Sequence, residues 1–192
     1  MTANEIQGWM RKRELAWLRK VAANCNLVVE IGTWMGKSTF AMGEAVNGKV
    51  ITIDTFKMDG VPIRRYYTSR EAQKQVAADP DWIYHKCLEN LSELIEKGKV
   101  RVIKGDSKEV IKTLDCIRGL VDMVFIDGSH DYESVKADII NYRPLLRKGG
   151  LLCGHDFSHQ VKDAVVELVP RYVVARSTSI WVSVANGDIS GN

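Results

Sequence analysis

The sequence is poor in proline, with 4 residues in 192, and holds no Pro/Gly/Ser tract, internal repeat or low-complexity segment that could serve as a linker. A second domain has nowhere to begin, so one domain over residues 1–192 is expected. Its 4 cysteines, Cys25, Cys87, Cys116 and Cys153, stand singly and form no C-x-x-C pair. That excludes the common zinc and redox motifs and leaves them as small, reduced apolar residues. No apolar run approaches the ~20 residues a membrane helix needs, and the first ten residues lack the basic-then-apolar order of a secretory signal. A cytoplasmic chain with no membrane partner is expected. Charge of one sign is also scarce: 27 Lys and Arg against 24 Asp and Glu leave a formal +3, too slight to indicate a nucleic-acid partner.

What is present is an alternation. Short Val/Ile-rich runs that end in an acid or a glycine are separated by longer stretches of helical period, which is α/β order. Strands are expected at Leu27–Ile31, Lys49–Asp54, Val100–Lys104, 121–127 and 150–154. Most are nearly continuously apolar, as parallel strands covered on both faces must be. Two further strands, 171–176 and 179–184, are parted only by Ser177 and Thr178, a connection that permits only antiparallel neighbours.

Helix signals fill the gaps. Asp106 and Glu109 are spaced to cap reciprocally, with Val110, Ile111, Leu114 and Ile117 on one face behind them. After Asp131 the residues Val135, Ile139, Tyr142 and Leu146 recur at helical offsets until Pro144 limits the last turns. Before the sheet, Ile6, Trp9, Met10, Trp17 and Val21 suggest an amphipathic helix that begins at a Thr2/Glu5 capping box. Its apolar face could dock on its own sheet or on a second subunit, giving a homo-oligomer. Residues 55–98 interrupt the alternation, because about forty residues stand where one helix would suffice. This insertion, with its basic and aromatic Arg64, Arg65, Tyr66, Tyr67 and Trp82 and helices starting near Thr68 and Asp79-Pro80, reads as a lid or substrate wall.

The chemistry-bearing residues sit at strand ends. Glu30-Ile31-Gly32-Thr33-Trp34-Met35-Gly36-Lys37-Ser38 is an E-x-G-x-x-x-G turn opening a helix, where glycines let backbone approach a ligand and helix N–H groups face an anion. Gly36-Lys37-Ser38-Thr39 also resembles the tail of a P-loop, yet Ile31 stands where that loop requires its first glycine, one residue off the spacing. Asp54 places a carboxylate about twenty residues beyond the turn, where doubly wound folds hold ribose hydroxyls. The third strand delivers Asp106 and Ser107 to the same crevice. The fourth and fifth strands end in Asp127-Gly128-Ser129-His130 and Gly154-His155-Asp156, bringing carboxylates and imidazoles together at adjacent ends. Asp127, His155 and Asp156 could hold one divalent cation there.

With these residues in view, the chain resembles the class I, Rossmann-like S-adenosylmethionine-dependent methyltransferases over about residues 26 to 185. It is closest to the metal-dependent branch of catechol O-methyltransferases and the sugar O-methyltransferases of antibiotic pathways. The resemblance implies a doubly wound seven-stranded sheet, mostly parallel with an antiparallel C-terminal hairpin strand and helices on both faces. It implies that S-adenosyl-L-methionine is the cofactor, held by the Glu30–Gly36 turn. Gly32, Trp34 and Ser38 would line its methionine, Asp54 its ribose, and Asp106 with Ser107 its adenine. Asp127 belongs to the implied reaction centre, and His130 stands where the catechol enzymes carry a general-base lysine. The related enzymes usually have an acid at the position of His155, so an ion softer than Mg²⁺, such as Mn²⁺ or a transition metal, or no ion, is expected here. The implied acceptor is a hydroxyl oxygen of a small molecule (a sugar, a phenol or a secondary metabolite), since no N-P-P-[FY] segment of amino-group methyltransferases follows the fourth strand. The competing readings are a P-loop-like nucleotide hydrolase, a hydroxylase-like relative and a non-catalytic S-adenosylmethionine-binding protein.

Overall fold

A computed structural model of the chain describes residues 1–57 and 70–185. Seven strands form one sheet: β1 (Leu27–Ile31), β2 (Lys49–Asp54), β3 (Val100–Lys104), β4 (Val121–Ile126), β5 (Leu146–Gly154), β6 (Val173–Val174) and β7 (Trp181–Val184), in the order β3-β2-β1-β4-β5-β7-β6. The first five are parallel, and β7 pairs antiparallel with both β5 and β6. Because the chain winds outward from β1 in one direction and from β4 in the other, a crevice opens between their carboxyl ends.

Among the described residues seven α-helices accompany the sheet: α1 (Lys12–Ala22), α2 (Lys37–Ala45), α3 (Arg70–Ala78), α4 (Trp82–Glu96), α5 (Ser107–Val110), α6 (Tyr132–Tyr142) and α7 (His159–Leu168). Side chains alternate across the strands, so the sheet feeds two cores. Val28, Met123 and Phe125 pack with α1, α2 and α4 on one face. Val29, Val124 and Ile126 pack with α6 and α7 on the other. Every residue of β4 is buried, which explains why it is apolar everywhere but at Asp122. At the amino end of the sheet, Asp122 accepts from the backbone N–H groups of Asn26 (2.7 Å) and Leu27 (2.9 Å) and from Arg147 Nε (2.5 Å), tying β1, β4 and β5 together. Among the described residues no helix is long and apolar enough to cross a membrane.

Three local expectations change. The N-terminal helix starts at Lys12, not at Thr2, although the Thr2 N–H does donate to Glu5 Oε2 (2.6 Å). Gly8 breaks the run with a φ of +152°, and the cap forms instead where the Arg11 N–H donates to Glu14 Oε2 (2.8 Å). The apolar face of α1 lies on its own chain, with Leu15, Leu18 and Ala22 buried beside α2. Second, α5 is one turn long and gives way to 3₁₀ turns at Ile111–Thr113 and Asp115–Ile117. Asp106 caps Lys108 N–H (2.9 Å), but Glu109 pairs with Lys112 (2.6 Å) rather than reaching back. The Thr113 hydroxyl donates to the Val110 carbonyl (2.7 Å), competing with the helical ladder. Third, the terminal hairpin is shorter than expected, with β6 reduced to two residues.

The insertion carries α3 and α4 as expected, while Arg64, Arg65, Tyr66 and Tyr67 lie outside the described residues. Its helix α4 braces the turn after β1. Asn90 Nδ2 donates to the Met35 carbonyl (2.9 Å), and Trp82 is partly buried against the core.

Candidate functional site

The turn after β1 takes its shape from two glycines and one acid. Gly32 has φ +93°, and a Cβ there would lie 2.1 Å from the Asp127 carbonyl oxygen, so only glycine lets the β1 and β4 ends come this close. Gly36 has φ +87° and is backed by Leu91 of α4, 2.8 Å from where its Cβ would be. Between them Trp34 also adopts a left-handed backbone, φ +49°. Asp54 Oδ2 accepts from the N–H groups of both Thr33 and Trp34 at 2.8 Å, and Oδ1 accepts from Phe56 N–H at 2.7 Å. The acid at the end of β2 thus pins the turn while facing the cavity.

Glu30 lies under this turn, wholly buried and off the cavity wall. It accepts from the hydroxyls of Ser38 (2.5 Å), Thr52 (2.7 Å) and Thr39. Burial raises its carboxyl to about 7, although the three donors oppose the shift. Its place is that of a buttress that fixes the first turn of α2 to β1 and β2. Ser38 faces both ways, bonded to Glu30 and lining the cavity. Lys37, which a P-loop would aim at phosphates, donates instead to the Gly8 carbonyl (3.1 Å).

Above the turn is a cavity of about 810 Å³, within the usual range for small-molecule sites. Gly32, Trp34 and Asp54 line one part of it, Asp106 and Ser107 another, and Asp127, His130, His155 and Asp156 a third. The N-terminal segment adds Gly8, Trp9 and Met10 to the wall, with the Trp9 and Trp34 rings 5.5 Å apart. Of the insertion, Thr55 and Lys57 reach it. Sequence reasoning missed two contributors. One is the N-terminal wall, whose signal was Gly8 interrupting an apolar run. The other is Asp138, an acid inside the apolar stripe of α6.

At the ends of β4 and β5 the two expected histidines flank the carboxylates of Asp127 and Asp156. Asp127, His130 and Asp156 bring one potential ligand atom each to within 4.8 Å of the others. The carboxylates of Asp127 and Asp156, with imidazoles beside them, suit a divalent cation of intermediate softness, so these two residues fit a metal. His155, expected in that set, adjoins the same two carboxylates through one ring nitrogen and is tied to α1 and Ser179 through the other. Its Nε2 lies 2.9 Å from Ser179 Oγ and 3.3 Å from Glu14 Oε2, and its Nδ1 lies 3.3 Å from Asp156 Oδ1 and 3.6 Å from Asp127 Oδ1. Burial would lower its pKa, but the Asp127 and Asp156 carboxylates raise it to about 10. Its Nδ1 therefore faces both carboxylates of the cluster, with the Nε2 side tied to α1 and Ser179. Glu14, which receives it from α1, is itself buried. Burial alone would raise its carboxyl, but donors from Arg11 and Ser179 hold it down at about 2. On the solvent side His130 Nε2 meets Asp156 Oδ2 at 2.9 Å, which raises the His130 pKa and lowers that of Asp156.

Comparison with known proteins agrees with this geometry. The chain is 24% identical over 149 residues to the uncharacterized protein y4gI of Sinorhizobium fredii, a match covering 77% of this chain and spanning 15% of that protein's length. Among solved structures it resembles an O-methyltransferase from Bacillus cereus in complex with SAH, with a TM-score of 0.62, 15% identity, and coverage of 95% of this chain and 86% of that one. It also resembles TomG from Streptomyces achromogenes, an O-methyltransferase involved in tomaymycin synthesis and solved with SAM, at TM-score 0.64 and 16% identity, covering 93% and 82%. These likenesses establish a Rossmann-like methyltransferase fold, with the antiparallel end of the sheet included. A family model described as a methyltransferase domain matches residues 29–157, from within β1 past the end of β5 and so across the strand ends that line the crevice, and the chain belongs to that family.

Proposed function

We propose that the protein transfers a methyl group from S-adenosylmethionine to a hydroxyl oxygen of a small molecule, in the manner of the metal-dependent catechol and sugar O-methyltransferases. The observation that carries this reading is one cavity joining the Gly32 turn, Asp54 and the Asp106-Ser107 pair to the Asp127/His130/Asp156 cluster. A nucleoside sulfonium fits the first three and an acceptor hydroxyl the last.

S-adenosylmethionine supplies an electrophilic methyl on a sulfonium, which an oxygen nucleophile displaces in line. The turn from Gly32 to Ser38, with Trp34, receives the methionine end. Asp54 offers its carboxylate to ribose hydroxyls, and Asp106 and Ser107 flank the base. Glu30 and Gly36 act indirectly, keeping the turn in shape. A divalent cation held by Asp127 and Asp156, with His130 beside it, would polarise the acceptor hydroxyl as a Lewis acid. His130, exposed at the mouth, takes the acceptor's proton. Trp9 and Met10 with Lys57 enclose the acceptor from the opposite wall. Holding donor and acceptor in line can contribute about 7–11 kcal/mol, more than any single polar contact in the site. The engagement of Lys37 by Gly8 speaks against nucleotide hydrolysis.

Calorimetry with S-adenosylmethionine, S-adenosylhomocysteine and ATP, with and without chelator, tests the reading. Binding of both sulfur compounds and not of ATP is expected. Tight ATP binding with no response to either sulfur compound would overturn it.

A further inference from the structure

The inward face of α6 carries Val135, Asp138, Ile139 and Tyr142, an apolar stripe at helical spacing with one carboxyl set into it. Asp138 is 4% exposed. Burying a carboxyl in such a stripe is unfavourable unless donors meet it, and unmet buried polar groups are rare in folded proteins. Among the described residues only the Ser107 hydroxyl donates to Asp138, at Oδ1 (2.7 Å). Burial accordingly raises the carboxyl to about 6.

The surroundings indicate what the other oxygen is for. Asp138 lines the cavity, at the end formed by Asp106 and Ser107. Asp106 is turned to its own helix, where Oδ1 caps Lys108 N–H. Tyr142, one turn further along α6, donates its hydroxyl to the Ser107 carbonyl (2.8 Å), so the β3 loop and the α6 face are held at fixed separation. Asp138 is thus an enclosed, positioned acceptor with spare hydrogen-bonding capacity on a ligand cavity.

We infer that Asp138 is the base-discriminating residue of this site, accepting a hydrogen bond from the exocyclic amino group of the adenine. The inference rests on the reading of the cavity as an S-adenosylmethionine site and assigns the recognition of its base. A purine with a 6-oxo group would set an acceptor against an acceptor, so the enclosed carboxyl rejects it as well as favouring the amine.

The test is calorimetry on the full chain with S-adenosylhomocysteine and S-inosylhomocysteine, for the wild type and Asp138→Asn. Asparagine keeps an oxygen for Ser107, so a merely structural clasp would survive the change, and its amide can donate to a 6-oxo group. The wild type should prefer the adenine ligand by about 10- to 100-fold, the range set by one charge-assisted hydrogen bond. In Asp138→Asn the preference should shrink to within a few-fold, mainly through a gain for the inosine ligand. Asp138→Ser, neutral and shorter, should lose affinity for the adenine ligand without that gain. Unaltered discrimination in Asp138→Asn with a normal melting temperature would overturn the assignment alone. Failure of the wild type to bind S-adenosylhomocysteine at all would overturn the cavity reading and the assignment with it.

Discussion

Replacing Glu30 by Gln should abolish one pH dependence of stability and leave the rest intact. Burial lifts the Glu30 carboxyl from its ordinary 4.5 to about 7. The folded state therefore holds this proton more tightly than the unfolded state, and stability is greatest below the unfolded value. It falls as pH rises through the window from 4.5 to 7 and is level above it. A difference of about 2.5 units at about 1.4 kcal/mol each amounts to roughly 3 to 4 kcal/mol, a large share of the stability of an ordinary domain. Glutamine is nearly the same shape, keeps an oxygen for one hydroxyl and can donate its amide to another, so the buttress under the turn should survive. Urea unfolding followed by circular dichroism at pH 5, 6, 7 and 8 measures the effect. The difference between wild type and E30Q should move by about 2 to 3 kcal/mol in favour of the variant across that range. Asp138, raised to about 6 by burial, titrates in the same window in both proteins and cancels in the comparison. Parallel stability curves would refute the buried-carboxylate argument.

Gly32→Ala meets both a φ of +93° and a backbone oxygen 2.1 Å from the new methyl; a loss on the order of 3 kcal/mol, read as a lowered melting temperature, and loss of S-adenosylhomocysteine binding are expected. A variant with wild-type melting and affinity would contradict the close approach of β1 and β4. Asp127→Asn should abolish turnover while keeping cofactor affinity within a few-fold, and full activity would remove Asp127 from the reaction centre. For His130→Ala, a drop in kcat of about 100-fold or more with unchanged S-adenosylhomocysteine affinity is expected, as for loss of a proton acceptor; an unaltered kcat would exclude that role.

The sheet was legible because its signals are local. Runs such as Val121–Ile126, apolar but for Asp122, read as a doubly covered strand, and the Gly32 and Gly36 spacing fixes where β1 must turn. The N-terminal helix was misplaced because the apolar pattern around Ile6 and Trp9 continues across Gly8, whose positive φ pattern alone cannot reveal. The histidines show a different limit. Both reach the carboxylates, but the second partners of His155, Glu14 and Ser179, approach from distant parts of the chain, and no spacing around His155 encodes them. Asp138 was hidden because the helical stripe around it reads as core. Its exception became visible only when burial could be set beside its single donor.

The tilted contact between Trp9 and Trp34 turns part of the cavity wall into an optical reporter. One indole is 61% exposed and the other belongs to the turn that would receive the sulfonium, while the remaining tryptophans at 17, 82 and 181 lie off that wall. A guest entering between them would change the polarity and quenching felt by both rings at once. The protein's own emission spectrum can therefore register occupancy without any attached dye.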